Sequence, residues 1–423
     1  MNEHLLQFIW GNRYYNSAEL KTVGGSRIIV KYPGRLNANQ GPDFLDAQIM
    51  IDELLLAGSV ELHLRSSDWK QHRHDEDLRY SNVVLHVVWE HDGWDLPYVQ
   101  VLELKHRVAI RLLDTYQKLM QSKGRLPCES LLQKVPEMVL TSWKDRLLVS
   151  RFENRSKEIA TRLVRCRNSL EEAFWQTLAF GWGLPLNADV FEAVAVSLPV
   201  SILSKHRQQA HQMEALLFGQ AGLLDNEFQE VYPQMLQKEY RFLQRKYGLR
   251  PVDVAVSFLR MRPPEFPTIR LAQLAMLLCH SGFFFSSIKI EQDLKTLIHF
   301  FEITASEYWT THYRFEQESI RQCKHTGYEM IHRLLINSVF PFLYYVACAH
   351  KDQGMKQRVQ RWLYELPPEN NSRTRLWLRA GVGIRHAFDS QALLELRKNY
   401  CDQKRCLECA IGNRILRQEE STS

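Results

Sequence analysis

Residues 54–65 read LLLAGSVELHLR, and residues 66–80, directly after them, read SSDWKQHRHDEDLRY. From Val60 the first stretch alternates. Val60, Leu62 and Leu64 fall on one face; Glu61, His63 and Arg65 fall on the other. A period of two is the mark of a β-strand, so this stretch is expected as a strand and the polar run after it as helix or loop. Working outward, residues 3–10 form a short amphipathic helix candidate. Residues 26–32 (SRIIVKY) and 44–51, the latter after a Gly41-Pro42 turn signal, read as strands. Residues 82–91 and 98–105 are two more, joined by a turn containing Asp92-Gly93. The expected order is αβββ, a polar segment, then ββ.

From about Val108 the apolar residues recur at three- and four-residue spacing, as in residues 112–123 and 136–167. Breaks fall at Gly183-Leu184-Pro185, Leu198-Pro199, Arg262-Pro263-Pro264, Leu366-Pro367-Pro368 and Gly381 to Gly383. The expectation is an α/β domain over residues 1–112 and a large all-α domain over 113–423.

Composition narrows the class. The 423 residues are 45% hydrophobic and 24% charged, with formal net charge +6. That is a globular composition, neither disordered nor collagenous nor a disulfide scaffold. The mildly basic balance is compatible with nucleic acid. The uncharged runs 271–288 and 334–349 read as core helices, so no membrane association is expected. The N-terminus MNEHLLQFIW lacks the pattern of a signal peptide, and with eight cysteines in the chain a reducing, cytoplasmic location is expected.

The first candidate for chemistry joins Pro42-Asp43 to Glu61-Leu62-His63. One carboxylate opens a strand; the second lies 18 residues on, within the next strand. Two such carboxylates suit a hard divalent cation, Mg²⁺ or Mn²⁺. Here the sequence resembles the PD-(D/E)XK nuclease superfamily. That resemblance implies an αβββαβ restriction-endonuclease-like core, with an Asp opening the second strand and (Glu/Asp)-x-Lys on the third. In this chain His63 stands where Lys is usual. The resemblance implies a metal-dependent nuclease or phosphodiesterase acting on nucleic acid. Asp43 and Glu61 would be metal ligands, His63 would sit beside the attacking water, and Asp46, Asp68 or His72 would assist. The competing reading keeps the nuclease shape as a non-catalytic module binding nucleic acid or protein, with Glu-x-His-x-Arg no more than a solvated strand face. Six of the 16 histidines (His63, His72, His74, His86, His91, His106) fall within 44 residues, and Asp75 and Asp77 lie among them. A second metal ligand set is one use for that concentration. Glu103-Leu104-Lys105 fits the superfamily's letters but stands 60 residues after Asp43, and reads as an edge pair.

The second candidate is Cys401-x4-Cys406-x2-Cys409, with Cys128 as a fourth ligand, for Zn²⁺ or an iron–sulfur cluster. Three ordinary thiols are the alternative. A third feature is charge: residues 144–167 hold eight Lys/Arg and three acidic residues. Lys144, Arg151, Arg155 and Arg162 fall near one helix face, either a stripe for a phosphate backbone or a solvated face. The pieces GPDFLDA, SVELHLRSSDW, FPTIRLAQLA and YCDQKRCLECAIG also resemble a bacterial family catalogued as domain of unknown function 2851, which implies a common fold and leaves activity open. Composition and spacing do not set the oligomeric state.

Overall fold

The computed structural model describes residues 1–122, 126–280 and 284–418. The chain divides into two compact units: Met1–Asp145 with Arg375–Gly383 and Leu393–Ser423, and Arg146–Thr374 with Ile384–Ala392. The expected division after residue 112 is therefore not where the compact units part. Helices following the sheet, and two C-terminal segments, join the sheet in the first unit.

The first unit opens on α1 (Glu3–Asn12), capped by Asn2, whose side chain accepts the Leu5 N–H at 2.9 Å. Its apolar face buries Leu5, Leu6, Phe8, Ile9 and Trp10, and the Trp10 indole donates to the Pro33 carbonyl at 3.0 Å. The sheet follows: β1 (Ile28–Tyr32), β2 (Arg35–Leu36), β3 (Phe44–Ile51), β4 (Leu54–Arg65), β5 (Val83–Glu90) and β6 (Gln100–Glu103). Strand order is β1-β3-β4-β5-β6, with β2 pairing β3 as well. The β1–β3 and β3–β4 pairs are antiparallel; β4–β5 and β5–β6 are parallel. The expected N-terminal mixed α/β architecture is present, and β3 and β4 have the expected bounds.

Two details differ from the sequence reading. The two-residue β2 is too short to leave a period. The Asp92-Gly93 turn does not close a hairpin, because β5 and β6 run parallel and need a crossover between them. The Asp92 carboxylate is instead tied back to the Ser66 hydroxyl at 2.6 Å and the Ser67 N–H at 3.1 Å. Lys105, read in sequence as one of an edge pair with Glu103, instead pairs with Glu90 of β5 at 2.6 Å.

Gly58 sets how closely β4 approaches the start of β5. A Cβ there would stand 2.5 Å from the Asn82 carbonyl oxygen, so any other residue would push the strands apart. Between β4 and β5 run α2 (Asp68–Gln71) and two 3₁₀ turns, His74–Glu76 and Leu78–Tyr80. The expected polar connector is thus a packed crossover with Trp69 buried beneath it.

After the sheet come α3 (Ile110–Gln121) and the long α4 (Glu137–Arg165). Lys123, placed by sequence at the end of α3, lies outside the described residues. The second unit is largely helical, as expected. Its core includes Phe174, Trp182, Phe218, Trp309, Phe340 and Trp362. It also holds a two-stranded ribbon, His312–Arg314 with Gln317–Glu318, turned at Glu316 with φ +59°, which the all-α expectation lacked. The stretch Tyr328–Ala349 is long and apolar enough to cross a membrane, and 72% of its most apolar 18-residue window is buried inside the fold. Ser281 and Gly282, which interrupt the other uncharged run, lie outside the described residues.

The basic stripe on α4 is not a surface feature. Lys144 and Arg162 are buried. Lys144 donates to the Gly383 carbonyl at 3.3 Å, Arg151 to the Asn337 side-chain oxygen at 3.1 Å, and Arg162 to the Glu192 carboxylate at 2.9 Å. Arg155 pairs with Glu158 at 2.9 Å. A 3.6-residue stripe identifies a face but not its direction; here the stripe shares its side of the helix with the buried Leu148, Phe152 and Ile159.

Candidate metal centre

Asp43 immediately precedes β3, and Glu61 lies across from it on β4. The Asp43 backbone N–H donates to Glu61 Oε2 at 2.9 Å, and the Leu62 N–H donates to Asp43 Oδ2 at 3.0 Å. Gln7, on α1, donates to Asp43 Oδ1 at 2.8 Å. The two carboxylates are therefore neighbours, as the spacing anticipated. Both Asp43 oxygens already accept protein hydrogen bonds, whereas Glu61 Oε1 faces a group of imidazoles. Burial pushes both carboxyls above their ordinary range. For Asp43 the Leu62 and Gln7 hydrogen bonds oppose this, and for Glu61 the Asp43 charge adds to it.

Glu61 and His63 are 5% and 1% exposed. That excludes the solvated-strand-face reading of Glu-x-His-x-Arg. β5, alongside in parallel register, sets His86 opposite Glu61, and His86 is fully buried. His63 Nδ1 lies 2.9 Å from His86 Nε2, and His63 Nε2 lies 3.1 Å from His72 Nδ1. Glu61 Oε1 stands 3.6 Å from His63 Nε2 and 3.5 Å from His74 Nε2. One ligand nitrogen from each of His63, His72 and His74 falls within 4.8 Å of the other two.

The crossover produces this convergence. His72 closes the single turn of α2, and Arg73 then takes φ +56°, the left-handed region rarely used outside glycine. That reversal presents His72 and His74 to one point. His74 stacks on Tyr80 with centroids 3.8 Å apart. Trp69 meets His63, His74 and His86 edge-on and anchors the turn by donating to Asp75 Oδ1 at 2.9 Å.

Burial and neighbouring imidazoles hold these rings neutral, the ligating form. His63 is pushed down to about 2, His86 to about 3 and His74 to about 4, burial being the largest cause in each case. Among the described residues, no hydrogen bond reaches the buried His74 Nε2 or His86 Nδ1. Unpaired buried ring nitrogens are uncommon, and the orphan His74 Nε2 stands 3.5 Å from Glu61 Oε1. If His63 donates from Nδ1 to His86, its Nε2 lone pair points at the same place.

Of the sequence-derived candidates, the structure gathers Asp43, Glu61, His63 and His72. Asp46 is not among them. It sits at a β-bulge with φ +61°, turned out of the alternation, exposed and 3.8 Å from Arg35. Asp68, half-buried, caps the end of β4, accepting the Arg65 N–H at 2.9 Å. His74, counted in the sequence only within the polar run that could add a second ligand set, and His86, counted only in the histidine concentration, both belong to the site. The available signal for His86 was a lone ionisable residue in the apolar run VVLHVVW, the pattern of a strand covered on both faces.

Residues 3–372 match the family described as protein of unknown function (DUF2851). The chain belongs to that family. No curated protein and no solved structure matches it. In this DUF2851 chain the histidine group lies inside the matched residues, and Cys401, Cys406 and Cys409 lie beyond them.

Proposed function

We propose that the first unit carries a metal-dependent hydrolase centre. His63, His72 and His74 hold one transition-metal ion, Glu61 serves the water beside it, and the substrate class is the phosphodiester of nucleic acid. The observation that carries this reading is the convergence of three imidazole nitrogens within 4.8 Å beside a buried carboxylate. Imidazole ligands suit Zn²⁺ or, less strongly, Mn²⁺; Mg²⁺ prefers an all-oxygen shell, so the set differs from the Asp43–Glu61 pair read from the sequence.

Three protein ligands leave a fourth position for water, the pattern of catalytic sites. An ion there lowers the pKa of its water and offsets charge on a phosphoryl oxygen. The chain's own residues do the rest. His86 orients His63 through Nδ1. Asp43 holds Glu61 through its backbone N–H, leaving Glu61 Oε1 to take a proton. The exposed His72 marks the side open to substrate. The substrate class rests on the αβββ–crossover–ββ order, the place of Asp43 and Glu61 in it, and the net charge of +6.

The test uses the full chain loaded with Zn²⁺ or Mn²⁺ and labelled single-stranded DNA, duplex DNA and RNA. Cleavage should need the metal and disappear on chelation, in His74→Ala and in Glu61→Gln, with the fold retained by circular dichroism. Metal binding without cleavage of any substrate would assign the non-catalytic module instead. A chain that binds no metal at the histidines overturns both the site and its chemistry.

A further inference from the structure

The helix Val231–Tyr247 of the second unit holds four cations, Lys238, Arg241, Arg245 and Lys246, and one acidic residue, Glu239. Helical spacing sets the four cations and Phe242 on the side away from the buried Leu236, Tyr240 and Leu243. All five outward residues are exposed, Phe242 at 58%. Glu239 is engaged elsewhere, accepting from Gln212 Nε2 at 2.6 Å. Among the described residues no carboxylate pairs with any of the four cations. Other arginines of the same unit are paired: Arg165 with Glu192 at 2.9 Å, Arg321 with Glu307 at 2.7 Å and Arg361 with Glu365 at 3.5 Å.

A second element adds to this face. Lys205, exposed near the end of the helix Val200–His206, brings its Nζ to 5.8 Å from the Tyr247 ring centroid. Lys246 Nζ lies 5.1 Å from the same centroid and 5.9 Å from that of Phe242. The Tyr247 hydroxyl is fixed 2.8 Å from His206 Nε2, so the ring that collects the two ammonium groups is itself held in place.

Three- and four-residue spacings set Lys238 beside Arg241 and Arg241 beside Arg245, where like charges repel. The helix macrodipole favours cations in the last turn, which accounts for Arg245 and Lys246 but not for Lys238 and Arg241 in mid-helix. A polyanion offsets the repulsion that no carboxylate of the chain offsets. We propose that this face binds single-stranded nucleic acid. Phosphates follow the row Lys238, Arg241 and Arg245, roughly 10 Å long, with Lys205 and Lys246 at its end. An unpaired base stacks on Phe242, which a duplex, with its bases already stacked, does not offer. An anionic membrane fits less well, because the helix's main apolar side, Leu236, Tyr240 and Leu243, is already spent in the core. The partner class is the one proposed for the histidine centre, but binding here rests on other residues and needs no metal.

Fluorescence anisotropy of the full chain in chelator, with labelled oligothymidylate, oligouridylate and a DNA duplex, reads binding apart from cleavage. Both single strands should bind more tightly than the duplex. Lys238→Gln/Arg241→Gln/Arg245→Gln should weaken binding and make the log–log salt dependence shallower by about 2, three contacts at about 0.7 each. Phe242→Ala should weaken binding roughly ten-fold and leave the salt dependence unchanged. Arg165→Gln/Arg321→Gln/Arg361→Gln removes the same net charge from paired positions and should bind as the wild type does. Equal binding by the two triple variants overturns the proposal, as does capture by phosphatidylserine vesicles without capture by either single strand. Metal-dependent cleavage with unaltered binding in the first triple variant would refute this face alone. Weakened binding in that variant, with no cleavage by any metal-loaded protein, would support this face and refute the hydrolase reading alone.

Discussion

Two buried glutamates, one in each unit, have opposite surroundings. In the helical unit Glu214 is fully buried and accepts three hydrogen bonds: from Ser306 Oγ at 2.6 Å, Tyr232 Oη at 2.8 Å and Trp309 Nε1 at 3.1 Å. In the sheet Glu61 accepts one backbone N–H, and its other oxygen faces imidazoles at 3.5 and 3.6 Å, with orphan ring nitrogens at His74 and His86. Burial raises the pKa of both. Burial alone therefore does not separate a structural carboxylate from one at a site; the state of its partners does. Glu214 closes a completed network, whereas Glu61 borders an incomplete one that a cation would complete.

The largest effect is expected where the network is complete. Glu214→Leu leaves three buried donors without an acceptor and should destabilise the protein by about 3–5 kcal/mol, read from the denaturation midpoint, with metal content unchanged. A loss below about 1 kcal/mol would mean that Glu214 is as poorly partnered as Glu61, and the contrast would collapse.

The incomplete network should respond in metal affinity. His86→Phe removes the partner that orients His63 and should weaken metal binding by roughly 10–100-fold in a chelator competition, and His63→Ala by more. Affinity unchanged in both variants would remove the metal from the comparison.

Asp43→Asn sharpens the distinction between the two ligand sets. Both Asp43 oxygens are occupied, so the expected outcome is near-normal metal affinity and a stability loss of about 1 kcal/mol from the weakened Leu62 bond. Loss of the metal together with retention of the fold would restore Asp43 and Glu61 as the ligands.

The smallest effect concerns pH. Burial raises the folded pKa of Glu214 above its ordinary value of 4.5, so folding favours its protonated form. Its titration contributes stability that is fully present below the unfolded pKa and lost as pH rises through the folded one. Glu214→Gln removes that dependence. The stability difference between wild type and Glu214→Gln should therefore move in favour of the wild type as pH is lowered toward 4.5. A difference that moves the other way would mean Glu214 is held ionised by its three donors.

Much of this was legible locally. The bounds of β3 and β4 follow from period-two patterning beside Gly41-Pro42. Glu103 and Lys105 mark the end of the last strand, β6, which lies at one edge of the sheet. The concentration of histidines over residues 63–106 marks a polar site by composition alone. Alternation, turn residues and helical spacing act over a few residues, so the chain carries them openly.

What the tertiary structure decided is direction and convergence. The stripe of Lys144, Arg151, Arg155 and Arg162 has the same spacing whether it faces solvent or protein. The engagement of Lys144 with Gly383, Arg151 with Asn337 and Arg162 with Glu192 is invisible to periodicity. The parallel pairing of β5 with β6 depends on where the crossover returns, not on the Asp92-Gly93 dipeptide. His86 joins His63 only through strand register, and His72 and His74 join it only because Arg73 reverses the chain. These contacts link residues far apart in sequence, and their geometry is set by packing the whole chain rather than by any pattern within one segment.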